Sequence, residues 1–139
     1  MKNNHGSSSL GAIVAIAIVL FLLYHCNNEI NTEPVVGPAE ITIQAVNISK
    51  EFKDNEVRAI NICKGKIIKI CGTINNFDTS LIKDDPMVYL KGYDGEYVCL
   101  EFTESSGMRV KDYNKGDHFC AECEFSSETL GTVFFKNCR

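Results

Sequence analysis

The chain has 139 residues, of which 45 % are hydrophobic and 23 % charged, and its formal net charge at neutral pH is −4. A chain of this length holds one domain and a short appendage. The acidic balance speaks against strong, non-specific nucleic-acid binding, which rests on Lys and Arg displacing counterions from phosphates; only a local basic patch would override it.

Residues 10–24 carry no charge, and Ser7, Ser8, Ser9, His25 and Cys26 extend the uncharged run on both sides. The run reaches about 20 residues, the length a helix needs to cross a bilayer. Its β-branched residues are no obstacle, because in lipid the backbone must satisfy its polar groups within the segment. Lys2 precedes the run and Glu29 and Glu33 follow it, so the positive-inside rule places the N-terminus in the cytoplasm and the remainder outside. The reading is a short cytoplasmic N-terminus at 1–9, a single-pass transmembrane anchor at 10–26, a flexible tether at 27–40 and a folded domain at 41–139. Pro34, Gly37 and Pro38 break regular structure in the tether. Two alternatives fit less well. A cleaved signal peptide wants small residues near its cleavage site, and a lipid-modified Cys26 wants them just before the cysteine. Tyr24 and His25 are bulky at those places.

Ile48, Phe52, Asn55 and Ala59 recur with helical spacing, predicting one helix over 44–62 with Gly65 as its left-handed stop. Asn55 on the apolar stripe is expected to be a buried amide bonded to backbone. Five short strands follow. The first spans 66–74, with Gly72 marking a bulge or bend. The second and third, 87–91 and 96–102, flank Tyr93-Asp94-Gly95, a hairpin signal because Asp-Gly accepts positive φ. A crossover near 104–113 leads to strand four, 118–125, where Phe119, Ala121, Cys123 and Phe125 alternate with polar residues. Strand five is 132–138. The fold class is therefore mainly β: a five-stranded OB-fold Greek-key barrel with a leading α-helix, behind the transmembrane segment.

Ala45, Ile48, Phe52, Asn55, Ala59, Lys64-Gly65-Lys66, Gly72-Thr73-Ile74, Val88-Tyr89-Leu90, Val98-Cys99, Lys115-Gly116-Asp117, Cys123 and Asn137-Cys138 together resemble the tRNA-anti-like group of bacterial OB-fold domains. The resemblance runs from about residue 40 to 139. It implies the same plan, a hydrophobic leader and a helix entering one small barrel. It also implies nucleic-acid binding by analogy with anticodon-binding domains, although fold does not fix function. Cys63 stands where the family tends to have Tyr.

Seven cysteines are present. Cys120-Ala121-Glu122-Cys123 has dithiol spacing, but within a strand odd spacing sends the two side chains to opposite faces. Redox chemistry by that pair is thus a minor alternative. A zinc site is not expected either, since four ligands commonly come from two such pairs. Cys63, Cys71, Cys99 and Cys123 read as core filler. In an oxidising compartment Cys99 or Cys123 is placed to bridge Cys138. With Val88 and Leu90 inward, Tyr89 and Lys91 face out and Tyr97 joins them, a surface able to stack a base or a sugar ring. The acids Asp84, Asp85, Asp94, Glu96 and Glu101 surround it. No catalytic constellation, metal or cofactor site is legible, and His118 reads as a surface residue.

The expected function is a non-enzymatic, membrane-anchored binding module on the extracytoplasmic side. A protein or envelope component is its favoured partner. The alternatives are a single-stranded nucleic acid or oligosaccharide on the Tyr89–Lys91–Tyr97 surface, and thiol-redox chemistry at Cys120 and Cys123.

Overall fold

In the computed structural model, residues 37–139 are described. The proposed anchor at 10–26 and most of the proposed tether lie outside them. Among the described residues no helix is long and apolar enough to cross a membrane. The elements are β1 (Ile41–Gln44), α1 (Ala45–Asp54), α2 (Glu56–Cys63), β2 (Ile67–Thr79), β3 (Pro86–Lys91), β4 (Tyr97–Phe102), a 3-10 helix (Gly107–Asp112), β5 (His118–Thr129) and β6 (Thr132–Cys138).

Five strands close into a barrel in the order β2-β3-β4-β6-β5 and back to β2. All its neighbours are antiparallel except β4 and β6, which run parallel. The inner face carries Ile68, Ile70 and Ile74 of β2, Val88 and Leu90 of β3, Val98, Leu100 and Phe102 of β4, Phe119 and Ala121 of β5, and Val133 and Phe135 of β6. Most are β-branched or aromatic, with Leu90, Leu100 and Ala121 among them, and they fall at alternate positions, as a curled sheet with one dry face requires. Register shifts after Ile74 in β2 and after Phe125 in β5 let the strands turn the barrel's corners.

The expected single helix is two. Asn55 is extended (φ −161°, ψ 91°), and its side chain accepts a hydrogen bond from the Arg58 amide at 3.0 Å, capping α2. The expected bond to backbone is present, but the amide is solvent-exposed and not buried as expected. Ahead of α1, β1 adds to β2 in parallel, Ile41 beside Ile68, an element too short to show periodicity. The last residues ahead of β1 also touch the barrel: Arg139 donates to the Gly37 carbonyl, and the Glu40 amide donates to Ile67. β2 runs to Thr79, taking five residues from the expected loop.

Helix α1 seals one end of the barrel. Ala45, Ile48 and Phe52 are buried, and the Phe52 ring stacks on Phe125 at 5.3 Å. Gly72 makes this approach possible: a Cβ there would lie 2.9 Å from the Ala45 Cβ. Its role is helix contact rather than the bulge, which falls two residues later. The Ser49 hydroxyl accepts from the Tyr93 amide, and Lys53 pairs with Asp94 at 2.6 Å, fixing the β3–β4 hairpin to α1. Asp94 and Gly95 have positive φ (54° and 81°), as the hairpin signal predicts.

Candidate ligand-binding face

The alternation that sends Val88, Leu90, Val98, Leu100, Val133 and Phe135 inward sends Met87, Tyr89, Lys91, Tyr97, Cys99, Glu101 and Phe134 outward. Register aligns them in rows: Met87 opposite Glu101, Tyr89 opposite Cys99 opposite Phe134, and Lys91 opposite Tyr97. The Tyr89 and Tyr97 rings meet edge to face at 6.4 Å, an attractive geometry for aromatic pairs. The three residues singled out for this surface thus share it, with Lys91 at its exposed edge.

Beside Tyr89 the 80–85 loop folds over the strands and makes a groove of about 520 Å³. Met87, Tyr89 and Phe134 form its base, and Leu81 and Ile82, both fully exposed, form one lip. Asp78 and Glu101 line it against a single cation, Lys83. Lys91 and Tyr97 stand outside this groove. Phe134, Leu81 and Ile82 escaped the sequence reading, although signals existed. A phenylalanine at a solvent-facing strand position is one; an apolar pair in an otherwise polar loop is another.

Cys99 lies under this surface. It is fully buried yet sits outside the barrel core, covered from the solvent side. Tyr89 stands directly opposite it on β3. Burial pushes the Cys99 thiol up to about 12, the neighbouring Tyr89 hydroxyl opposes the rise and Glu101 adds to it. Burial, followed by the Cys99 sulfur, pushes the Tyr89 phenol to about 12 as well. Both groups are neutral across the physiological range and chemically quiet.

The cysteines divide by face. Cys123 bonds to Cys138 inside the barrel and Cys71 bonds to Cys120 outside it, leaving Cys63 and Cys99 free and buried among the described residues. Cys138 therefore takes Cys123 and not Cys99. Cys71 is a bridge partner, not the filler expected of it. Cys120 and Cys123 point to opposite faces, so each joins a different strand and they do not bridge each other. Asn137 makes the inner bond possible. Strict alternation would turn Cys138 outward, but Asn137 has φ 53° and shifts the pattern by one residue, bringing Cys138 into the core.

The whole chain, residues 1–139, matches the family model described as tRNA_anti-like. The chain belongs to that family. The tRNA_anti-like barrel is also similar in fold to a solved crystal structure, that of a lipoprotein from Klebsiella pneumoniae subsp. pneumoniae MGH 78578 described as a candidate nucleic acid-binding protein. The TM-score is 0.58 at 15 % identity, covering 70 % of this chain and 88 % of that one. At this identity the likeness establishes the OB-type barrel and nothing finer. No curated protein is significantly similar in sequence to this tRNA_anti-like chain.

Proposed function

We propose that the protein is a non-enzymatic, membrane-anchored binding module, with its barrel on the extracytoplasmic side and its groove occupied by a protein segment. The observation that carries this reading is the groove's chemistry, an apolar and aromatic base edged by Asp78 and Glu101. A peptide with apolar side chains next to a Lys or Arg complements it. A phosphate backbone does not, because two carboxylates face it and the one cation is Lys83. The uncharged run at 10–24 supports the anchor. Two disulfides support an oxidising compartment.

A photoreactive amino acid in place of Thr79, an exposed residue on the groove's edge, tests the reading in intact cells. The expected adduct is shortened by protease and untouched by nuclease. It falls severalfold when Phe134 and Met87 become Ala. A nuclease-sensitive adduct, or none, contradicts the proposal.

Single-stranded nucleic acid is the second reading. It draws on the Tyr89–Tyr97 pair beside Lys91 and on the description of the Klebsiella lipoprotein. A fluorescent oligothymidylate titrated at low salt separates the two. The leading reading predicts no binding. Binding that weakens by about fivefold or more with Tyr89→Ala, the lower end of one lost base stack, favours nucleic acid instead.

A further inference from the structure

Cys71 and Cys120 face each other directly across β2 and β5, and their bond lies on the outer wall of the barrel. Cys71 is buried but Cys120 is half-buried, whereas Cys123 and Cys138 are both sealed in the core. His118 precedes Cys120 by two residues and so projects from the same face. Its Nε2 is 3.9 Å from the Cys120 sulfur. The ligating atoms of Cys71, His118 and Cys120 all lie within 4.8 Å of one another. Nothing in the binding surface on β3, β4 and β6 uses these three residues.

Two sulfurs and an imidazole form the donor set of a borderline-soft metal ion, zinc above all. While the sulfurs are bonded to each other they have no thiolate charge to offer. We propose that Cys71, Cys120 and His118 form a redox-gated zinc site, closed as a disulfide and opened by reduction. A dithiol reductant supplies two electrons and two protons. The Cys71–Cys120 bond breaks, the reductant closes to its own disulfide, and two thiols result. Zinc then binds both sulfurs and the neutral imidazole, and the two thiol protons leave to water.

The spacing suits this outcome. Tetrahedral zinc, with Zn–S about 2.3 Å and Zn–N about 2.1 Å, holds S and N ligands roughly 3.5 Å apart, a few tenths of an ångström from the present 3.9 Å. The fourth position faces a groove of about 630 Å³ lined by Lys69, Arg109, Tyr113, Glu122 and Arg139. The three cations favour the thiolate over the thiol once the bond opens. They also repel a free dication, but Glu122 already pairs with Arg139, and the two thiolates cancel the charge that remains. The site is thus silent when oxidised and takes a metal only after reduction.

The test uses the full chain in detergent with cobalt(II) as the spectroscopic stand-in for zinc. A phosphine reduces the disulfide, taking its oxygen from water to become the phosphine oxide. The oxidised protein should show no thiolate-to-cobalt charge-transfer band. The reduced protein should show one, at one cobalt per chain, and zinc should displace it. C71S/C120S should abolish the band although Cys26, Cys63, Cys99, Cys123 and Cys138 remain. His118→Ala, on an exposed residue, should weaken binding by about tenfold or more. Three results overturn the proposal: alkylatable Cys71 and Cys120 with no band, a band that survives C71S/C120S, or a bond that resists the phosphine until circular dichroism shows the chain unfolded.

Discussion

Single residues set two features of this molecule that no average property conveys. Asn137 adopts a left-handed conformation (φ 53°), which asparagine tolerates and β-branched residues do not. Asn137→Gly should keep the Cys123–Cys138 bond, while Asn137→Val should cost about 1–2 kcal/mol and raise the free-thiol count after oxidative refolding. An unchanged thiol count in the valine variant contradicts this account of the kink. Cys63 and Cys99 set the second. Burial raises their thiols from 9.0 to about 11 and about 12. Above pH 9 the unfolded chain loses these protons while the folded one keeps them. Stability is thus intact below pH 9 and falls as pH rises, by about 1.4 kcal/mol per pH unit for each thiol. Thermal melts from pH 7 to 11 should show the decline, and Cys99→Ala should make it shallower.

Among the elements, the strands were the most legible in the sequence. Inward residues such as Val88 and Leu90, or Phe119 and Ala121, alternate because one face of each strand is dry. The hairpin at Asp94-Gly95 was legible because few residue pairs accept positive φ at two successive positions. The helical region was less so. Ile48, Phe52 and Ala59 keep helical spacing across a break, since α1 and α2 both pack on the barrel, and periodicity cannot see a single extended residue between them. Asn55 stands at that break as the cap of α2. Asn55→Ala should destabilise the protein by about 1 kcal/mol, read by denaturant unfolding. Asn55→Leu, which a buried stripe position would welcome, should also destabilise it. Stabilisation by leucine contradicts the capping role. Strand β1 was invisible for another reason: its four residues take their order from the parallel ladder with β2, a contact remote in sequence.

At the scale of the whole molecule, the barrel's interior followed from pattern, but its working surface only partly did. Tyr89, Lys91 and Tyr97 were found because they are aromatic or charged at outward positions. Phe134 and the Leu81–Ile82 lip belong to the same surface through the parallel pairing of β6 with β4 and the fold of the 80–85 loop, neither of which local sequence encodes. The disulfides divide likewise. Odd spacing spoke against a Cys120–Cys123 bridge, yet pairing Cys71 with Cys120 required the closure of β2 on β5. The central claim joins this surface to a location: an oxidised barrel presenting its groove outside the cytoplasm. Labelling intact cells with a membrane-impermeant maleimide, after Thr79→Cys in a Cys26→Ser background, tests it most directly. The account predicts that Cys at 79 is labelled before lysis while buried Cys63 and Cys99 are not. Labelling that begins only after the cells are lysed contradicts it.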